Sequence, residues 1–218
     1  MKKLITSIVF SLLYISSASA ELMNVGISGQ MGLFSASGTE FSGTTKKDTD
    51  SEHGAVAFGS VFVEGVLGER FLLGVDYVPA ALESDTVETA KSDMGVAAAA
   101  QTTVTNKVQV DFEHLTTIYA GMMLNDNLYI KAGISTVDVI TNENMGTGAN
   151  YGDTELDGSM FGIGYHNVMD NGLFVRVEGN YLNFDSASVT SSGTASDSKI
   201  TLSSLDGLTG KVSIGKSF

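Results

Sequence analysis

The 218-residue chain contains no cysteine, no tryptophan and only one proline. Without cysteine it can form neither a disulfide framework nor a lipid-modified cysteine. Basic residues are also scarce, since 12 lysines and arginines stand against 25 aspartates and glutamates and give a formal net charge of −13. This charge disfavours binding to phosphate backbones, so we expect no nucleic-acid partner. After residue 20, no apolar run approaches the roughly 18 residues of a membrane-spanning helix.

The first twenty residues have the pattern of an export signal. Lys2 and Lys3 precede an apolar run over residues 4–15, and the small residues Ala18-Ser19-Ala20 follow it. A run of this length is too short for a hydrocarbon core of about 30 Å, which favours cleavage over a retained anchor. We therefore expect residues 1–20 to be removed and residues 21–218 to form a single exported domain.

Alternation of apolar and polar residues recurs eight times in residues 21–218, which is typical of β-strands with two different faces. The predicted strands are 24–36, 54–66, 71–82, 105–124, 128–141, 156–168, 173–185 and 204–218. In the seventh, valines alternate with Arg176 and Glu178. In the second, Phe58 and Phe62 blur the pattern, so the sidedness of this strand is the least defined.

The connections between these strands alternate in length. Gly, Asn and Asp mark three short connections, at residues 67–70, 125–127 and 169–172. Ser, Thr, Gly and acidic residues fill four long ones, at residues 38–53, 83–104, 142–155 and 186–203. In the second long connection, the run Ala97 to Ala100 is compatible with a short helix. An up-and-down meander with this alternation places the long loops at one rim and the short turns at the other.

The polar faces of the predicted strands carry charges of both signs. These residues are Asp76, Asp111, Glu113, Lys131, Arg176, Glu178 and Lys211. Side chains fill the lumen of an eight-stranded barrel, so we expect these charges to form an interior plug, while the apolar faces meet lipid. The sequence thus predicts an all-β fold, an eight-stranded antiparallel up-and-down transmembrane β-barrel with four long outer loops and three short periplasmic turns.

The last predicted strand ends in Phe218, with Ile214 and Val212 at alternating positions before it. In this feature and in its layout the chain resembles the small outer-membrane β-barrel family of the OmpA transmembrane domain, OmpX and the opacity-type surface antigens. The resemblance implies a monomer in the lipid of the outer membrane, and recognition of Val212, Ile214 and Phe218 by the barrel assembly machinery. It also implies girdles of aromatic residues, for which the candidates are Phe71, Tyr77, Tyr119, Tyr129, Tyr165 and Tyr181.

Candidate catalytic residues are few. The predicted meander places His166 at the opposite rim from His53 and His114, which argues against a three-histidine metal site. A lipid-modifying enzyme would need a histidine beside a hydroxyl, and His114 with Thr116 is the best such pair. No motif fixes a nucleophile, so we expect no enzymatic activity, cofactor or metal.

The favoured interpretation is a non-enzymatic surface protein that makes contacts through its long acidic outer loops, where an extracellular ligand could bind. Three alternatives remain: a narrow ion-conducting barrel, a lipid-modifying enzyme, and a soluble lipocalin-like binder with its faces reversed.

Overall fold

The computed structural model describes residues 23–42, 45–68, 70–95, 100–193 and 198–218. Within these residues the chain forms thirteen β-strands and no α-helix. The predicted export signal lies outside the described residues, and so does most of the Ala97 to Ala100 run.

In the described part of the chain, no helix has the length and apolar character needed to cross a membrane.

The strands, in chain order, are β1 (Met23–Ser42), β2 (Thr45–Leu67), β3 (Phe71–Tyr77), β4 (Leu82–Glu83), β5 (Val87–Met94), β6 (Gln101–Met123), β7 (Leu128–Met145), β8 (Ala149–Asn150), β9 (Thr154–Val168), β10 (Leu173–Phe184), β11 (Ala187–Thr190), β12 (Ser192–Gly193) and β13 (Ser198–Ser217).

A path of paired strands in the main sheet closes into a ring. Each of the eight predicted strands overlaps one of β1, β2, β3, β6, β7, β9, β10 and β13. Neighbours in this order pair antiparallel, and β13 also pairs with β1, so the path of paired strands closes on itself. Where the two ends meet, the Phe218 N–H donates to the Met23 carbonyl at 2.9 Å, and the Met23 N–H donates to the Phe218 carbonyl at 3.2 Å.

The predicted short connections are tight turns as far as they are described. The Asn125 side-chain oxygen accepts the N–H of Leu128 at 2.8 Å, which holds the turn between β7 and the preceding β6. Gly172 has φ +80° before β10, and Gly68 has φ +61° after β2. Glycine adopts these left-handed conformations without steric cost, which explains its place in the turns.

The predicted long loops are shorter than expected because the strands continue into them. β1 and β2 stay paired up to Ser42 and Thr45, and Thr39 hydrogen-bonds Thr49 across the pair at 3.0 Å. β5, which lies within the second predicted loop, pairs with β6. Segments with polar residues on both faces were predicted to be loops. A solvent-exposed hairpin, however, needs no apolar face, and cross-strand Thr and Ser pairs stabilise it.

A bulge in β6 reverses the faces of this strand. The register with β7 shifts between Glu113 and Thr116, and His114 has φ +55°. Because side chains alternate with a period of two, one extra residue turns every following side chain to the other face. Phe112 therefore packs against the core, while Asp111 lies on the outer face.

Candidate functional site

Six charged side chains fill the inward face of the ring on the side of the short turns. They are Glu64, Asp76, Lys131, Arg176, Glu178 and Lys211, and we refer to them as the interior charge cluster. Each is at most 9% exposed. Three are acidic and three are basic, so the cluster is electrically balanced. Five of these residues belong to the predicted interior set.

Arg176 and Glu64 form the centre of one half of the cluster. The Arg176 Nη1 lies 3.0 Å from the Glu64 Oε2, and its Nη2 contacts the Oε1. Arg176 Nε donates to His166 Nδ1 at 2.9 Å. Glu64 also accepts from Asn24 Nδ2 at 2.8 Å and from the Tyr119 hydroxyl at 3.0 Å. These charge-assisted hydrogen bonds compensate for the loss of water around both ions.

Glu178 links the other half. Its Oε2 accepts from Lys131 Nζ at 2.8 Å and lies 3.9 Å from Lys211 Nζ, while its Oε1 accepts from the Tyr129 hydroxyl. Lys211 also contacts the Asp76 carboxylate. Two lysines and two carboxylates thus form a connected chain across the interior, which fixes the relative positions of four strands.

Glu64 is the member of the cluster that the predicted set lacks. The sequence places Glu64 and Ser60 on the polar face of the second strand, and the structure confirms that both are buried. Phe58 and Phe62 share this face and are buried as well, which is why the strand did not appear to have a charged interior side. The sequence signal for a buried Glu64 was that these four residues occupy every second position, which places all of them on one face.

Tyr119 and Tyr129 were predicted to lie in the outer aromatic girdles, and this is wrong. They are 4% and 0% exposed, and both point inward to carboxylates of the cluster. Glycines on neighbouring strands make room for them, since a Cβ at Gly74 or Gly164 would lie within 2.5 Å of a tyrosine ring. The aromatic candidates on the outer face are Phe71, Tyr77, Tyr165 and Tyr181.

The structure does not bring Asp111 and Glu113 into the interior. Both precede the β6 bulge and lie on the outer face, where Asp111 accepts a hydrogen bond from Asn142 at 2.7 Å. The side chain of Glu113 is 38% exposed. The sequence prediction assumed unbroken alternation along β6, and the bulge at His114 makes that assumption wrong for the part of the strand before it.

The inward face has a different character on the side of the long hairpins. Here an apolar cluster closes the interior, and we call it the apolar cap. Its buried members are Phe58, Val78, Leu115, Tyr119, Val137, Leu156, Met160, Leu182, Phe184 and Leu205. Tyr119 belongs to both layers, because its ring packs in the cap and its hydroxyl reaches the interior charge cluster. The prediction of a polar plug therefore describes only half of the interior.

On the outward face, the apolar and polar regions lie in the opposite order. Beside the interior charge cluster it carries exposed apolar side chains, among them Ile27, Met31, Ile163, Val177, Val212 and Ile214. Beside the apolar cap it carries polar residues such as Asp157, Asn183 and Asp206. Both faces thus change character at about the same level of the ring.

The strand register places this change of polarity at the same level on neighbouring strands. Leu33 pairs with Leu208, Leu208 with Tyr181, and Tyr181 with Phe161, so that these residues form one row across four strands. All four are exposed. Asp206 is the next outward residue of β13 after Leu208 in the direction of the hairpins. It accepts hydrogen bonds from Tyr181 and Asn183, and these bonds lower the pKa of its carboxyl group.

The three histidines lie in different parts of the described structure. His166 is buried beside Arg176, His53 pairs with Ser35 on the hairpin side, and His114 occupies the β6 bulge. Within the described residues, no group of three or more metal-ligating side chains is positioned to hold a metal ion.

The best hydrolase candidate has one of the expected contacts. His114 Nδ1 lies 3.1 Å from an Asp138 oxygen, and the ring stacks on Tyr77 with 6.4 Å between centroids. The Thr116 hydroxyl donates to the His114 carbonyl at 2.8 Å, so it is directed to the backbone and not to the imidazole. The structure therefore supplies a histidine with a carboxylate but does not align Thr116 as a nucleophile.

The predicted assembly residues lie in β13 and at its end. Val212, Ile214 and Phe218 are 54%, 56% and 65% exposed on the outward face. β13 pairs with both β10 and β1, so these residues lie on the strand that completes the ring.

Comparisons with known proteins concern the fold. No protein-family model and no curated protein sequence matches the chain. Among solved structures, the outer-membrane protease OmpT from Escherichia coli has a TM-score of 0.53 at 8% identity, over 93% of this chain and 100% of that one. OprG from Pseudomonas aeruginosa has a TM-score of 0.43 at 10% identity, over 89% and 95%. Ail of Yersinia pestis has 0.35 at 10%, over 88% and 99%.

These structural neighbours are outer-membrane β-barrel proteins. With a TM-score above 0.5, the similarity to OmpT carries the conclusion, and at 8% identity it concerns the fold alone. The chain is thus an all-β, antiparallel protein with the fold of an outer-membrane β-barrel.

Proposed function

We propose that this chain is a non-enzymatic protein of the Gram-negative outer membrane. In this proposal the ring is an eight-stranded transmembrane barrel with a closed interior, and the long hairpins reach outside the cell to contact the surroundings. The observation that carries the proposal is the reversal of polarity along the ring: apolar outside and charged inside on the turn side, polar outside and apolar inside on the hairpin side.

The position of the apolar outer face supports a membrane crossing. On β1 it extends from Val25 to Leu33, over alternating outward positions. With a rise of about 3.4 Å per residue and a tilt of about 40°, this segment covers about 20 Å along the barrel axis. Apolar bands of outer-membrane barrels are about 25 Å tall, so the two heights agree approximately. Ring closure supports the same environment, because lipid offers no partners for unpaired backbone groups.

On the hairpin side, polar and apolar residues are arranged as in a water-soluble protein. Its outer surface is polar, and its interior is the apolar cap, as in a soluble β-barrel. Short turns lie at the periplasmic rim of such barrels and longer loops at the extracellular rim. The cap and the hairpins would therefore stand above the membrane, on the outside of the cell.

The closed interior argues against the ion-conducting alternative. The charges are paired across the lumen, and the apolar cap adds a layer without hydrating groups. An eight-stranded barrel has room for its own side chains only. We accordingly assign the role of the protein to its hairpins, whose acidic residues, such as Glu83, Asp85, Glu88 and Glu155, would face the surroundings.

Single-cysteine variants test the proposed orientation directly, because the chain has no cysteine of its own. Intact cells carrying Asn183→Cys or Asp157→Cys should react with a membrane-impermeant maleimide. Cells carrying Val177→Cys or Ile163→Cys on the same outer faces should not. Equal labelling of all four variants would contradict a membrane around the apolar outer face, and labelling of none of them would favour the soluble, lipocalin-like interpretation.

Two further measurements separate the remaining alternatives. The unheated protein should migrate as a compact band on SDS gels and should be recovered in the outer-membrane fraction. In planar bilayers it should give no regular conductance steps. A reproducible step that is lost on Lys211→Ala would replace the closed barrel with a conducting one.

A further inference from the structure

On the hairpin side, the wall of the ring is split between β2 and the strands that follow β3. β2 pairs with β3 from Leu67 to Val61, where Val61 lies opposite Tyr77. Beyond this pair, β4 and β5 pair with β6, and no strand of the described residues pairs with the second edge of β2 over residues 52–60. The backbone of β2 therefore presents an open edge there, and such edges can accept a further strand.

The only proline of the chain lies where this split begins. Pro79 is exposed and follows the end of β3 by two residues. Because proline has no backbone N–H, it cannot donate a hydrogen bond to β2. The pairing of β3 with β2 therefore cannot continue regularly through this position, and the sequence itself keeps the edge of β2 open.

The inward positions on both sides of the split are small or apolar, and they are accessible. Gly54 shares the inward face of β2 with the buried Phe58, yet a Cβ placed on Gly54 would meet no atom within 4 Å. On β5, Val87 pairs with Val108 of β6 and is 63% exposed. A strand bound at the edge could therefore place apolar side chains on the inner side of the wall without displacing others.

The outward positions beside the split are acidic. Glu83 of β4 lies directly opposite Asp111 of β6, and like charges in this arrangement destabilise a strand pair. Neither carboxylate forms an ion pair with another described side chain, whereas Glu88, farther along β5, contacts Lys107 at 2.8 Å. Basic side chains on the outer side of a bound strand would compensate the two carboxylates.

We propose that the open edge of β2 binds an extended protein segment in which apolar and basic residues alternate. The backbone of this segment pairs with residues 52–56, its apolar side chains face inward, and its basic side chains face Glu83 and Asp111. The inference rests on the proposed function, because Ala55 lies opposite Leu33, in the row where the outward face becomes polar and the wall leaves the membrane. A second copy of the chain fits less well, since it would bring the same acidic charges to the edge.

The test uses the full mature protein in mild detergent and the fluorescence anisotropy of short labelled peptides. The parent peptide alternates valine and lysine, and two further peptides carry N-methyl groups on all valines or on all lysines. In an extended peptide the valine N–H groups lie on one edge and the lysine N–H groups on the other. Pairing with β2 uses one of these edges, so at least one methylated peptide should bind about tenfold more weakly. Equal binding of all three peptides would show adsorption by charge alone and would overturn the proposal.

A charge variant tests the outer side of the split. Glu83→Gln should weaken binding of the parent peptide about threefold, as expected for the loss of one exposed ion pair. The matched control is Glu155→Gln, which removes an equally exposed carboxylate from β9, away from the split. Equal weakening by the two variants would contradict a specific contact with β4.

A disulfide trap locates the peptide on the wall, since the chain has no cysteine of its own. A peptide with cysteine in place of a central lysine should cross-link to His53→Cys on β2. It should not cross-link to Ser159→Cys, which lies in the same row of paired residues on β9, across β1, β13 and β10. If the two variants cross-link equally, β2 is not the site.

The compact band of the unheated protein on SDS gels distinguishes this inference from the proposed function. Every variant should keep the band, because none of the substituted residues belongs to the interior charge cluster or the apolar cap. A protein that shows the band but binds the three peptides equally would contradict only the binding edge. An unsubstituted protein that lacks the band would contradict the barrel itself.

Discussion

The turn side and the hairpin side of this ring are made by the same strands with opposite arrangements of polar and apolar residues. On β10, Val177 faces outward and Glu178 inward, but a few residues later Leu182 faces inward and Asn183 outward. The backbone alternation is unbroken between them, so the sequence pattern changes and the strand does not. One strand can thus be suited to an apolar environment along one part of its length and to a polar environment along the other. This requires that the apolar face changes at the same level in the neighbouring strands.

β6 reaches the same result in another way. Its residues before and after the bulge continue a simple alternation of apolar and polar residues, and the extra residue at His114 reverses the faces instead. Phe112 thereby joins the apolar cap. A change in sequence phase and a backbone bulge are therefore two equivalent solutions to the same requirement.

Removing one residue from β6 should have the largest effect on this comparison, and the position of the deletion decides the outcome. Deletion of Ala120, which follows the bulge, would turn Tyr119 outward and Ile118 toward the interior charge cluster, so we expect little of the compact, heat-modifiable band on SDS gels. Deletion of His114 removes only the extra residue, so Phe112 stays inward and Glu113 outward, and the band should be retained. Equal loss of the band in the two deletion variants would show that the bulge does more than set the faces of β6.

Arg176→Met tests the turn side. It leaves Glu64 buried without its cation, which should cost about 3–5 kcal/mol of unfolding free energy. The double variant Glu64→Leu, Arg176→Met removes both charges and should recover much of this loss. Urea unfolding in lipid vesicles, followed by the heat-modifiable band, measures both. If the double variant is no more stable than the single one, the pair contributes through something other than charge compensation.

Leu182→Ala tests the hairpin side. Truncation of this buried member of the apolar cap should cost about 2–5 kcal/mol, because it leaves a cavity. Its control is Val177→Ala on the outward face of the same strand, where lipid can fill the space and the loss should be smaller. The same urea titration applies, and equal losses for the two variants would argue against a packed cap.

Val177→Arg sharpens the boundary between the two halves. A charge on the apolar outer face should cost about 2–4 kcal/mol near the middle of a bilayer. Asn183→Arg, beyond the row formed by Tyr181 and Leu208, should be close to neutral because it lies among polar residues. An equal cost for the two arginines would place the boundary elsewhere.

The alternation in the sequence was sufficient to predict where the long paired strands lie, the tight turns and most of the inward charges, because a period of two assigns faces without any knowledge of neighbours. It failed where a strand departs from that period or mixes chemistry on one face. The position of Asp111 depends on the bulge at His114, and the role of Glu64 was hidden by the phenylalanines that share its face.

By itself, the sequence determined the all-β character, the short turns and the apolar outer face, since these depend on local periodicity and on residues next to each other in the chain. Only the tertiary structure decided that Arg176 meets Glu64, that Tyr119 and Tyr129 point inward, and that an apolar cap closes the interior. These features depend on strand register and ring closure, which join residues far apart in the chain. The alternation of one strand carries no information about which residue of another strand lies opposite.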